Sequence, residues 1–222
     1  MALINCYECG KEISDMAMTC PQCGAPQKQI GKFADRGVVI NGVKWATRNV
    51  DKPGTFVAKP EYAGMYYQWN SKRALAATDH INDYIIWKDI IEKGNTWEKV
   101  NDPCPEGWRM PDSSEMYSLF DERKVDYQWT IQNGIEGGKF TDKDNGNSIF
   151  LPATGYLDDG STYFRMKRNV WKNIPAMSYY WISDPVCVEN GYKMTLIFHN
   201  KRAGTDSFKI GRHGFCVRPV EQ

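Results

Sequence analysis

Four cysteines stand in two matched pairs near the start of this chain, Cys6-Tyr7-Glu8-Cys9-Gly10 and Cys20-Pro21-Gln22-Cys23-Gly24. Thiolates are soft metal ligands, and a Cys-x-x-Cys turn aims two sulfurs at one point. The glycine after each pair lets the backbone double back closely. Two such turns, separated only by residues 10–19, suit one tetrahedral Zn²⁺ held by Cys6, Cys9, Cys20 and Cys23. Four thiolates close the coordination shell and leave no position for water or substrate, so the predicted ion is structural. A redox dithiol and a pair of disulfides are the competing readings. Redox motifs come singly beside a strand–helix unit, which these pairs lack.

Little else in the chain has catalytic spacing. The three histidines, His80, His199 and His213, lie in unrelated contexts, with no Gly-x-Ser-x-Gly and no metal-binding histidine pair. Gly137-Gly138-Lys139 lacks the length of a phosphate loop. Cys104, Cys187 and Cys216 read as buried thiols, with a Cys104–Cys216 bridge expected only in an exported protein. Asp142-Lys143-Asp144-Asn145-Gly146 has the opening of a calcium loop. An EF-hand register would place glycine one position later and a glutamate where Ala153 stands. A solvated turn and calcium independence are therefore expected, and the chain reads as non-enzymatic.

One asymmetry points to binding. Between Lys193 and Arg218, the cations Lys193, Lys201, Arg202, Lys209, Arg212 and Arg218 face Asp206 alone, and Tyr179, Tyr180, Trp181, Tyr192 and Phe208 lie among or just before them. Cations with aromatics are the residue types of binding hot spots. The plainer reading makes the aromatics core and the cations solvated strand faces. Trp181, within Tyr-Trp-Ile-Ser, reads as part of a buried central strand.

Composition bounds the rest. The chain has 222 residues, 41% hydrophobic and 25% charged, with a net charge of +1. Nothing here has the basic excess of a nucleic-acid binder. No apolar run reaches the roughly 18 residues that span a bilayer. The N-terminus lacks a secretory pattern, so cytoplasmic residence is the default expectation, with export by another route or virion display left open. The cysteine-paired segment is too short to bury a core, so the metal must supply its folding energy.

Several elements must position these groups. Val38-Val39-Ile40 and Val43-Lys44-Trp45 flank Asn41-Gly42, the preferred hairpin turn where both residues take positive φ. Gly64–Trp69 reads as an aromatic strand, and Asp83–Gly94 as a short helix closed by glycine. Pro111-Asp112-Ser113-Ser114-Glu115 reads as a helix start, a small polar N-cap followed by a glutamate in the first turn, with Met116, Leu119 and Phe120 at helical spacing. From Lys124 onward short strands and glycine-rich turns are expected. They include an alternating strand from Tyr192 to His199 and a last strand running from Phe215 to Val220.

Four segments in order carry a resemblance: Ile40-Asn41-Gly42-Val43-Lys44-Trp45-Ala46-Thr47-Arg48-Asn49-Val50, then Cys104-Pro105-Glu106-Gly107-Trp108-Arg109-Met110-Pro111, then Asn147-Ser148-Ile149-Phe150-Leu151-Pro152-Ala153-Thr154-Gly155-Tyr156, and finally Gly214-Phe215-Cys216-Val217-Arg218-Pro219-Val220. Over residues 38–222 the chain resembles the Fibrobacter succinogenes major paralogous domain of gut Bacteroidetes, which is placed with the C-type-lectin-like folds. The N-terminal pairs resemble the zinc-ribbon module. The resemblance implies an α+β architecture: a small four-cysteine zinc ribbon over residues 1–26, a linker over 27–37, and a C-type-lectin-like domain over 38–222. It also implies a mixed twisted sheet, two helices and loops presenting a binding face. The Glu-Pro-Asn or Gln-Pro-Asp and Trp-Asn-Asp motifs of calcium-dependent lectins are missing; Trp69-Asn70-Ser71 lacks the acid.

The resemblance supplies no reaction. It implies a binding module presenting residues 186–213 to an unknown protein or glycan, with no nucleic acid and an open oligomeric state. The C-terminal segment also resembles the variable region of diversity-generating retroelement target proteins. The candidate ligand-binding and diversified positions are Val188, Glu189, Asn190, Tyr192, Asn200, Lys201, Arg202, Asp206, Phe208, Lys209 and His213. A third reading, an oxidase similar to formylglycine-generating enzymes, would require a redox-active metal at Cys187 or Cys216, and nothing in the sequence pairs those two cysteines.

Overall fold

The computed structural model describes residues 3–6, 8–14, 17, 19–25, 35–76, 96–158, 177–184, 192–199, 202–209 and 213–222. The chain divides into two compact units, Met1–Asp35 and Arg36–Gln222. The first contains an antiparallel pair, β1 (Leu3–Asn5) and β2 (Glu12–Ser14), between and beyond which the cysteine turns are placed.

The second unit is built mostly of sheets. In chain order come β3 (Val38–Ile40), β4 (Val43–Trp45), β5 (Tyr66–Gln68), β6 (Ala74–Leu75), β7 (Trp108–Arg109), α1 (Ser113–Ser118), β8 (Val125–Gln132), β9 (Ile135–Asp142), β10 (Ser148–Pro152) and β11 (Leu157–Asp158). There follow β12 (Met177–Trp181), β13 (Tyr192–His199), β14 (Arg202–Lys209), β15 (His213–Phe215) and β16 (Val220–Glu221). They form four sheets ordered β3-β4-β16-β7, β11-β15-β5-β6, β10-β9-β8 and β12-β13-β14, with every paired strand antiparallel.

The Asn41-Gly42 hairpin forms as expected, with φ of 46° and 80°. Asp112 closes a full capping box: its side chain accepts from the Glu115 N–H, and the Glu115 carboxylate accepts from the Asp112 N–H. Arg109 then grips the same Glu115 with two guanidinium bonds of 2.6 and 2.8 Å. Among the described residues α1 is the one α-helix, and it has six residues. The α+β expectation is thus met only loosely, because sheets dominate. The expected helix over Asp83–Gly94 lies outside the described residues.

Two strand expectations are corrected. Beyond Lys124 the strands are not all short: β8 and β9 have eight residues each, joined by a second Asn-Gly turn at Asn133-Gly134 with φ of 48° and 83°. That dipeptide gives the mirror-image turn whose twist matches a long ribbon. The last strand, in turn, is broken. Phe215 pairs with Tyr67 in one sheet while Val220 pairs with Trp45 and Arg109 in another. Between them residues 216–219 run beside residues 46–50, Ala46 N donating to Pro219 O and Val50 N to Val217 O. Proline has no N–H for a central ladder, so the chain changes sheets there.

The second unit has two large apolar clusters beside a small one of Ala46, Phe56 and Trp108, and the β12–β13 pair contributes to both large ones. Tyr180 and Phe198 belong to one, with Trp45, Met116 and Phe140; Tyr179, Trp181 and Ile197 belong to the other, with Trp69, Trp97 and Phe215. The register explains the division, since Tyr179↔Ile197 and Trp181↔Thr195 share one side and Tyr180↔Leu196 the other. The alternation within β13 therefore does not separate a wet face from a dry one: Thr195 and Phe198, on opposite faces, are both fully buried. Trp181 is also fully buried, flanked by β13 and by a parallel bridge from Tyr180 to Cys216.

Candidate metal centre and ligand face

Two matching turns build the candidate metal centre. Gly10 N donates to Cys6 O at 2.9 Å and Cys6 N to Lys11 O at 2.8 Å; Gly24 N donates to Cys20 O and Cys20 N to Ala25 O, both at 2.9 Å. Gly10 and Gly24 have φ of 68° and 71°, the left-handed backbone that favours glycine. The four sulfurs all lie within 4.8 Å of one another, with Cys6–Cys23 and Cys9–Cys20 each at 3.7 Å. A tetrahedron with metal–sulfur bonds of about 2.3 Å has sulfur–sulfur edges of about 3.8 Å, so this group can hold a metal ion. Disulfides are not the arrangement present: an S–S bond measures about 2.05 Å, and all four thiols are free.

Cys6 and Cys20 are buried against Ile13, Ala17 and Ala25, while Cys9 and Cys23 are exposed. Their electrostatics differ too. The Cys9 N–H brings the Cys6 thiol down to about 6, despite some loss of solvent. The Ala25 N–H favours a Cys23 thiolate, but desolvation and the three neighbouring sulfurs outweigh it and push Cys23 up to about 12. Cys9 is also raised: the Lys11 N–H favours its thiolate, and desolvation with the Cys6 and Cys20 sulfurs overrides it. Without a cation the sulfurs compete for negative charge; a central divalent ion removes that competition.

In the second unit the motif residues meet in a buried polar network. Arg218 is fully buried; its Nε donates to Asn49 Oδ1 at 2.8 Å, Nη1 to Ala46 O and Nη2 to Phe150 O, both at 3.1 Å. Asn49 Nδ2 bonds Ala63 O at 2.8 Å and the Tyr180 hydroxyl at 3.2 Å. Tyr180 donates onward to Pro152 O at 2.9 Å, where Ser178 Oγ also donates at 2.7 Å. Ser178 Oγ accepts from Thr154 N at 3.1 Å, and the Tyr66 hydroxyl donates to Thr154 O. Arg218 is consequently removed from the basic surface expected near the C-terminus. Sequence reading missed Asn49, Thr154 and Ser178; the available signal was a polar residue between apolar ones at Ala153-Thr154-Gly155 and Met177-Ser178-Tyr179, while Asn49 sits in a polar stretch that gives none.

The other chemistry-bearing residues are tied down. Cys216 is fully buried, and burial pushes its thiol up to about 12. Cys104 is half-buried and free, raised well above the usual thiol range by burial and then by the Asp102 charge. The Cys104–Cys216 bridge is absent, and Cys187 lies outside the described residues. Asp142 is a turn organiser: its carboxylate accepts from the N–H groups of Asn41 at 2.7 Å, Asp144 at 2.8 Å and Asn145 at 3.2 Å, and from Asn145 Nδ2 at 3.0 Å.

The candidate ligand residues fall into three groups. Val188, Glu189, Asn190, Asn200 and Lys201 lie outside the described residues. On the β13–β14 ladder, Tyr192 pairs with Lys209, at register positions on the Phe198 side of the sheet. Arg202, Asp206 and Phe208 stand opposite His199, Thr195 and Lys193, on the Ile197 side. The strand candidates are thus divided between two faces. His213 opens β15, half-buried, with its ring 5.5 Å from Tyr156 and stacked 6.0 Å from Phe215.

Among the described residues no helix is long and apolar enough to cross a membrane. Compared with protein-family models, curated proteins and solved structures, the chain matches none.

Proposed function

We propose that this chain is a non-enzymatic ligand-binding protein with one structural Zn²⁺ in its N-terminal unit. The observation that carries the reading is the clamping of β13. Phe198 stacks on Tyr180 at 5.8 Å and 14°, Thr195 is fully buried opposite Trp181, and Ile197 packs into the second cluster. A strand held from both faces is a rigid support for its hairpin partner β14 and for the loops joined to it. The fixed thiol at Cys216 and the guanidinium at Arg218 support a scaffold role for the motif residues rather than a catalytic one.

Zinc is favoured at the cysteines because four thiolates in a closed tetrahedral shell suit a soft-accepting ion without redox chemistry. Metal analysis of the purified chain is expected to give one zinc per molecule. For the ligand face, the intact protein is to be screened against glycan and cell-surface protein panels, and each hit retested with Lys201→Ala and Arg202→Ala. Loss of binding supports the reading; unchanged binding through an alanine scan of residues 186–213 overturns it.

A second reading is a retroelement-diversified receptor. In its favour, the positions it requires to stay constant, Trp181 and Val217 to Pro219, are all buried. Of the candidate variable positions, Arg202, Asp206, Phe208 and Lys209 lie on β14 and Tyr192 on its neighbour β13, while His213 opens β15. Sequencing codons 179–220 across a population of source cells distinguishes the two, since only diversification gives substitutions confined to those positions.

A further inference from the structure

The metal centre is lopsided: each turn contributes its first cysteine to the buried floor and its second to the surface. We propose that the exposed Cys9–Cys23 edge is an oxidation site, at which a peroxide expels the metal and cross-links the two turns. The proposal rests on the zinc reading above. A metal-bound sulfur is already a thiolate, and thiolate character combined with exposure decides which cysteines a peroxide attacks. Cys9 and Cys23 have both; Cys6 and Cys20 are covered by Ile13, Ala17 and Ala25.

The exposed sulfur of Cys9 attacks one peroxide oxygen. An S–O bond forms, the O–O bond breaks, and hydroxide leaves. The Cys20 sulfur, 3.7 Å away, then attacks the Cys9 sulfur, forming S–S as the S–O bond breaks and a second hydroxide departs. Two protons convert the hydroxides to water. The two thiolates have lost two electrons, the peroxide has gained them, and zinc stays Zn²⁺. Cys23 and Cys6, also 3.7 Å apart, react in the same way. An ion left with two sulfurs has lost half its shell and dissociates. From the two 3.7 Å approaches, the connectivity proposed is Cys9–Cys20 with Cys6–Cys23.

The device is confined to one unit. Among the described residues the apolar floor of the first unit is Cys6, Cys20 and Ile13 with two alanines, a small core to stand without metal, whereas the second unit has its own clusters.

The test uses the full zinc-loaded chain treated with hydrogen peroxide. Released zinc is followed with a chromogenic chelator, disulfides are mapped by mass spectrometry, and dithiothreitol with zinc is then added. Release in step with thiol loss, cross-turn disulfides and recovery of the bound ion support the proposal. Zinc retained while peroxide is consumed, or release with all four cysteines unmodified, overturns it and leaves the zinc reading standing. Disulfides only within each Cys-x-x-Cys pair overturn the assigned connectivity. A chain that never takes up zinc overturns the metal reading itself. Because Cys9→Ser and Cys23→Ser each remove a ligand, Ile13→Ala serves as the second variant: opening the buried floor without touching a sulfur is expected to speed release.

Discussion

Arg218 Nε donates to Asn49 Oδ1 at 2.8 Å across 169 residues of sequence, in a place where both side chains are fully buried. The same guanidinium holds two carbonyls, so three stretches of chain are fastened at one point. Asn49→Ala removes the acceptor and strands a buried charged donor. A loss on the order of 2–4 kcal/mol is expected, measured by urea unfolding followed through tryptophan fluorescence. Arg218→Lys is expected to recover little, because an ammonium cannot reach three directions in the plane of a guanidinium.

Chelation of the proposed ion should unfold the first unit and leave the second folded. Chelation is expected to erase dispersed amide signals from residues 3–25 while near-ultraviolet dichroism from the tryptophans persists, since every tryptophan lies in the second unit. Loss of both signals together would refute independent stability.

Acid should loosen the tie between β3–β4 and β9. The Asn41 N–H is the main cause of a lowered Asp142 pKa, joined by the Asp144 and Asn145 donors against some loss of solvent. A depressed folded-state pKa means the contribution is complete above the unfolded value of about 3.9 and disappears as pH falls through the folded value. Asp142→Asn is therefore expected to lower stability at neutral pH and to flatten the acid limb of stability against pH.

Trp181 joins the two sides of the second cluster, its Nε1 donating to Tyr67 O at 2.7 Å and its ring 4.3 Å from Phe215. Trp181→Phe removes the indole bond to that carbonyl and leaves a gap beside Trp69. About 2–4 kcal/mol of destabilisation is expected in thermal or chemical unfolding, with the cysteine unit unaffected.

The parts of this molecule that could be read from sequence were those governed by local chemistry. The candidate metal centre depends on two short turns, so spacing and glycine suffice to foresee the gathering of Cys6, Cys9, Cys20 and Cys23. The Asn41-Gly42 hairpin and the Asp112 cap are equally local. What could not be read depends on partners far along the chain. Arg218 looked like surface charge because its acceptors, Asn49, Ala46 and Phe150, come from two distant segments. The break between Phe215 and Val220 depends on which sheets receive each end, a matter of topology rather than propensity. The division of Tyr192 from Asp206 required the pairing register, which alternation within one strand does not supply.

The seat of β16 between β4 and β7 places a limit on when the second unit can fold. Val220 pairs with Trp45, and Ala46 bonds Pro219, so the sheet containing the first hairpin lacks its middle strand until residue 220 is free to move. Contacts of such sequence separation are slow to form, and during synthesis they wait for the ribosome to release that stretch. The cysteine turns face no such delay: their ligands are complete once residue 23 has emerged. The cysteine turns of a nascent chain would therefore be complete while the larger unit is still an unclosed sheet, with β4 and β7 exposing edges that chaperones or neighbouring chains could occupy.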